Sequence, residues 1–225
     1  MKNRIITIGF LFVLCTLFII GGVSGSKRNN LFGNEDNSDE RIVTFFGEYY
    51  APLLNEVKTT IKDEAKYVVE VEATGDREFV NGVLIQKAKF VRMIQGKPDK
   101  KVKEDVFIIG RSWMEDEKTL STGFVNLMQK GDHYMVFLSD IYDDYSGNAT
   151  VLNDVQDLIG FSYLNISRDE SFACDEKEDV TKYKNVKGSE FITNDEETLK
   201  KIEKMKYSLM DKYGVEPLWE DGNKN

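Results

Sequence analysis

One histidine occurs in the chain, His133, within "LMQKGDHYMVFLSD", with Asp132 directly before it and Asp140 seven residues on. Imidazole beside carboxylate is a pairing used for proton transfer and for metal ligation. Here no second histidine can share a metal, and no cysteine is near. His133 follows a Gly131-Asp132 turn signal and opens an apolar run. That context predicts a side chain exposed beside a turn at the mouth of a strand. The segment "SDIYDDYSGN", Ser139 to Asn148, gathers Asp140, Asp143 and Asp144 ahead of Gly147. Hard cations draw several oxygens from one short loop, so these three acids are calcium candidates. Their spacing departs from the EF-hand pattern and no Glu follows at the required distance, so a solvated loop stands as the alternative. Cys174, in "FACDEKED", is the one thiol outside the N-terminal apolar run. Its acidic neighbours disfavour a thiolate, which suits a small packed side chain better than a nucleophile. Phe45, Phe46, Tyr49 and Tyr50 form either a binding surface or a core stripe. No serine sits in a nucleophile elbow and no glycine-rich loop could cradle phosphate. The sequence therefore offers no catalytic set, and no cofactor is expected.

Periodicity supplies the elements that must position these residues. In "RIVTFFGEYYAPLLNEVKTTIKDEA", Leu54, Val57, Ile61 and Ala65 recur at helical spacing, which predicts a helix from Leu53 to Ala65 with Pro52 in its first turn. Arg41 to Tyr50 is compatible with strand or helix. From Lys66 the period changes to two. "YVVEVEA" is a half-buried strand, "GDREFVNG" turns the chain at Asn81-Gly82, and "VLIQKAKFVRMIQG" is a long second strand. "KEDVFIIG" and "DHYMVFLSD" follow as third and fourth strands, with "LIGFSYLNIS" as the fifth. Successive strands without intervening helices indicate an antiparallel sheet or a closed barrel. Near the C-terminus, Thr193-x-x-Glu196 reads as a capping box. Leu199, Ile202, Met205, Leu209 and Tyr213 form an apolar stripe, while Lys200, Lys201, Lys204 and Lys206 occupy the other faces. Gly214 and Pro217 end this helix.

Lys2 and Arg4 precede the uncharged run "IITIGFLFVLCTLFIIGGV", Ile5 to Val23. Nineteen residues approach the roughly 20 that span a bilayer, and small residues follow at signal-cleavage spacing. Residues 1–25 are thus a single-span anchor or a removed signal peptide, and both place the remainder outside the cytoplasmic membrane. Residues 26–40 read as a polar linker, 41–215 as one domain and 216–225 as a tail. A net charge of -9 argues against nucleic acid, which is held by clustered Lys and Arg. With Cys15 in the apolar run, the exported part can form no internal disulfide, which fits a bacterial envelope protein. The sequons at Asn148 and Asn165 are then accidental.

The order "YVVEVEATG", "QKAKFVRMIQGK", "EDVFIIG", "LMQKGDHYMVFLSD" resembles the small OB-like barrels of secreted and membrane-anchored bacterial proteins, which are distantly similar to netrin-like and TIMP-like domains. "IQGK" stands where that pattern has a Lys-Gly turn. Leu127, Gly131 (one residue late), Tyr134, Phe137 and Leu138 stand in its run into a core strand. The likeness covers about Tyr67 to Ile166. It implies a mainly β, α+β fold: a small antiparallel OB-like barrel with one helix before it and one at the C-terminus, both packed on the outside. The netrin-like cysteines are absent, so an inhibitory mechanism tied to a disulfide-anchored N-terminus does not carry over. The expected function is a membrane-tethered interaction module for a protein or peptide partner at the cell envelope. A hydrolase using paired carboxylates and a calcium-stabilised surface or adhesion domain are the competing expectations.

Overall fold

A computed structural model describes residues 40–80, 83–114, 119–143, 147–155, 161–169, 171–173 and 179–219. In chain order these form β1 (Ile42–Thr44), a 3-10 turn (Glu48–Tyr50), α1 (Leu53–Glu64), β2 (Tyr67–Val80), β3 (Val83–Gln95), β4 (Asp105–Met114) and β5 (Thr119–Ser121). Then come β6 (His133–Asp143), β7 (Thr150–Asp154), β8 (Tyr163–Asn165), β9 (Ser171–Ala173), β10 (Val180–Lys182), α2 (Tyr183–Val186), β11 (Phe191–Thr193) and α3 (Glu196–Tyr213). The protein is mostly β, with a closed five-stranded barrel and a C-terminal helix. β2 pairs antiparallel with β3, and β3 with β4. β4 runs parallel to β7, β7 is antiparallel to β6, and β6 returns to β2.

Two expectations about strands need correction. The fifth barrel strand is Thr150–Asp154, not "LIGFSYLNIS". Among the described residues of the latter, Tyr163–Asn165 is strand, and it pairs with the first half of β6, while β7 takes the second half. The closing strand is short, and Asn153 and Asp154 dilute its apolar signal. "GDREF" also does not turn the chain. Gly75, at φ +86, and a register shift between Ala73 and Arg77 mark a bulge, and β2 continues to Val80, which pairs with Val83. Bulges of this kind give a strand the bend that closure demands.

Alternation along β2 turns Val69, Val71 and Ala73 into the barrel, where they meet Ala88, Val106, Ile108, Val136 and Leu152. One barrel mouth is crossed by the segment before β6. Gln86 accepts the Met128 N–H at 2.8 Å, the Tyr163 hydroxyl donates to the Asn126 carbonyl at 2.8 Å, and the Arg77 guanidinium donates to the Met128 carbonyl. Phe137 faces outward onto the Tyr213 ring of α3, 5.7 Å between centroids. Arg41–Tyr50 holds both a strand and a helical turn. β1 lies parallel to β5 and antiparallel to β10, and its Val43 and the Phe45 that follows it join Leu120, Leu127, Tyr183 and Ile192 in a smaller second core.

The helices follow their apolar stripes. Leu54, Val57 and Ile61 of α1 are buried, as are Ile202, Met205 and Leu209 of α3. The cap of α3 differs from the expected box. Asp195 accepts the Thr198 N–H at 2.6 Å, while Thr193 ends β11. A carboxylate one residue before the first turn reaches the orphan amides better than a side chain held in a strand. Gly214 closes the helix at φ 63. No helix among the described residues is long and apolar enough to cross a membrane. Residues 5–23 with Cys15, the polar linker as far as residue 39, Asp144 and Cys174 lie outside the described residues.

Candidate functional site

A groove of about 660 Å³ opens between α3 and the start of α1. Pro52 precedes α1 and sends its buried stripe toward the barrel, which leaves Asn55 and Lys58 on the side facing α3. On α3, Lys201, Lys204, Met205 and Ser208 recur at helical spacing and form the opposite wall. Ala51, Leu54 and Met205 give the floor an apolar character, each nearly buried. The Lys58 ammonium reaches across to the Ser208 hydroxyl at 3.4 Å. Lys201 is paired at 2.9 Å with Glu197 one turn earlier, and Glu48 of the 3-10 turn stands near it.

The 3-10 turn ties this groove to the aromatic run. The four aromatics do not share one surface. Phe45 points into the second core. Phe46 stacks on Tyr50 with centroids 4.4 Å apart and meets buried Phe124 edge-on at 5.5 Å. Tyr50 in turn holds Tyr49 edge-on at 5.2 Å, and Tyr49 is 87 % exposed. The surface part of the candidate is therefore Tyr49 and Tyr50, braced from below by Phe46.

His133 opens β6 as expected, but it is not simply exposed. Its Nδ1 lies 2.8 Å from Glu70, a nearly buried carboxylate whose other oxygen accepts from Arg92 Nε at 2.7 Å. Glu70 lies on a neighbouring strand, and pairing of β2 with β6 brings the two together. A carboxylate that orients an imidazole could serve proton transfer. Among the described residues, however, Glu70 is the ring's one hydrogen-bond partner, and the nearby Ser167 hydroxyl accepts from the His133 backbone N–H at 2.6 Å rather than from the ring.

A buried polar network lies beneath α3. Lys206 is fully buried, not on an outer face, and donates to Glu190 at 2.5 Å and to the Arg168 carbonyl at 3.1 Å. Its ammonium also stands 4.5 Å from the centre of the Trp219 ring. Glu190 accepts the Asn165 N–H at 2.8 Å, and the Asn165 amide donates to Asp132 at 2.8 Å. Asp132 closes the chain onto Arg168. Burial pushes the Glu190 carboxyl up to about 7, against the pull of Lys206. Asn165 is buried with both amide ends engaged, so its sequon offers no surface for a glycan. The sequence carried a signal for this network. Leu199, Ile202, Lys206, Leu209 and Tyr213 are spaced three and four apart, which places Lys206 inside the apolar stripe.

The acidic candidates are drawn to lysines rather than to one another. Asp143 is held at 3.0 Å by Lys100 and at 3.4 Å by Lys103, and Lys100 foremost lowers its pKa. Asp140, three residues earlier on β6, accepts the N–H of its own neighbour Ile141. A second groove, of about 170 Å³, carries Asp99, Asp140 and Asp143 with Lys100 and Lys101, all of them exposed. Neither groove contains two buried carboxylates. No group of three metal-ligating side chains occurs among the described residues. No protein-family model matches the chain, and no curated protein matches it.

Proposed function

We propose that this chain is a non-catalytic interaction module on an OB-like barrel, held outside the cytoplasmic membrane by residues 5–23 and binding a protein or peptide partner at the envelope. The closed order, with the third barrel strand parallel to the fifth, supports the OB-like assignment. The observation that carries the binding role is Tyr49. A ring 87 % exposed, supported through Tyr50 and Phe46 by a buried phenylalanine, presents a large rigid contact with little entropy left to lose. Tyrosine is among the residue types enriched at the energetic centres of interfaces.

The test is a photo-crosslinking residue at position 49 in intact cells, with exposed Tyr142 as the control position. A discrete adduct at 49 and none at 142 is the expected result. No adduct at 49, or the same products at both positions, rejects the proposal.

A further inference from the structure

Resting on that reading, we infer that the partner is engaged through an acidic peptide segment bearing apolar side chains, and that the groove between α1 and α3 receives it. The groove has the size of a built site: its 660 Å³ falls within the few hundred to about a thousand Å³ typical of ligand clefts. Its floor of Ala51, Leu54 and Met205 can desolvate an apolar side chain. Its walls carry Lys58, Lys201 and Lys204 against a single acid, Glu48.

These cations are unevenly satisfied. Lys201 is paired with Glu197. Lys58 reaches only a neutral hydroxyl. Lys204 makes no ion pair among the described residues, although α3 pairs Lys200 and Lys201 with acids one turn away. A concentration of ammonium groups in one cleft runs against a chain of net charge -9. The overall field repels acidic molecules at long range, so what the groove selects it must select by contact.

Concavity decides between a peptide and a lipid surface. Lys58, Lys201 and Lys204 are exposed along the rim, whereas the floor of Ala51, Leu54 and Met205 is recessed, so a planar layer of anionic headgroups would touch the lysines and Glu48 without reaching the apolar floor. An extended or helical segment can enter. Glu48 lines the groove and Tyr49 follows it directly in the chain, which sets the exposed ring one residue from the groove wall. A partner anchored on Tyr49 therefore runs its chain past the lysines.

The probe is a fluorescein-labelled peptide alternating Glu with Leu and Phe, titrated by anisotropy with the full chain in detergent micelles. Saturable binding below about 1 mM is expected, and Lys58→Glu with Lys204→Glu should weaken it at least about tenfold, since both close charge pairs become repulsive. Both lysines are exposed, and the thermal melt of the double variant should match that of the parent. Replacing the peptide's Glu by Gln should weaken binding to a similar degree, whereas Lys130→Glu, in an exposed turn away from the groove, should not. Absence of saturation, equal affinity for the Gln peptide, or indifference to the two lysine reversals overturns the inference. So does lysine-dependent binding of phosphatidylglycerol vesicles in place of the peptide. A crosslink at position 49 without peptide binding rejects the acidic groove alone; the loss of both rejects the interaction reading as well.

Discussion

Lys206 and Glu190 form a buried ion pair, with Asp169 a further 3.6 Å contact of the ammonium. Above about pH 7, where Glu190 is ionised, removing Lys206 leaves an uncompensated charge. Lys206→Met is therefore expected to cost about 3–5 kcal/mol of unfolding free energy. Adding Glu190→Gln should recover much of that loss, since a glutamine oxygen can still accept the Asn165 N–H. Urea denaturation of the two variants checks both statements. Glu190 also fixes a pH dependence. Its folded value of about 7 lies above the 4.5 of the free carboxyl, so the native state binds its proton more tightly than the unfolded chain does. The resulting stabilisation is complete below about pH 4.5 and is lost as pH rises through about 7. The stability of the parent relative to Glu190→Gln should accordingly fall across that window. Parallel pH profiles for the two proteins would contradict the assignment.

At the scale of elements, the left-handed glycines in the connections between strands differ in what surrounds them. A Cβ on Gly96 would lie 2.6 Å from both the Lys66 carbonyl oxygen and the Tyr67 ring, and the backbone is at φ +91. A Cβ on Gly147, at φ +69, would meet nothing within 4 Å. Gly147→Ala is expected to lose about 1–2 kcal/mol from backbone conformation alone. Gly96→Ala should lose clearly more, because Lys66, whose carbonyl it would strike, is held at the start of β2 by its own N–H on the Leu138 carbonyl and cannot easily step aside. Chemical denaturation of the two single variants tests the order, and equal losses would count against it. The same contrast explains what the sequence made legible. Leu53–Glu64, Tyr67–Val80, Val83–Gln95, Asp105–Met114 and His133–Asp143 have strong periods, and each was readable within a few residues apart from the bulge. β7 was hidden because five residues ending in Asn-Asp carry little pattern, and its partners β4 and β6 define it instead. The groove was hidden for a related reason. Lys201, Lys204 and Ser208 are visible as one helical row, but only the packing of α1 against α3 brings Lys58 and Leu54 opposite them. His133 was read as exposed because Glu70, 63 residues away, leaves no trace near it in the sequence.

For the whole molecule, the arrangement to explain is an acidic β domain joined to an apolar segment by a polar stretch. Closure of the barrel pairs strand edges that would otherwise template association, which suits a domain kept at high local concentration on a surface. The described domain begins at Glu40, which is clamped by Lys182 at 2.5 Å and Lys184 at 2.8 Å. Strand pairing follows at Ile42. In the proposed topology the nineteen uncharged residues from Ile5 to Val23 lie in hydrocarbon and Lys2 and Arg4 hold the N-terminus inside, with Lys27 and Arg28 opposing them only in part. Brief external protease treatment of intact protoplasts should then cut within residues 26–40, release the folded domain and leave a small membrane-bound N-terminal fragment. Protection of the domain until lysis would reverse the orientation. Recovery of the domain from the medium before any protease is added would identify residues 1–25 as a cleaved signal peptide and remove the tether.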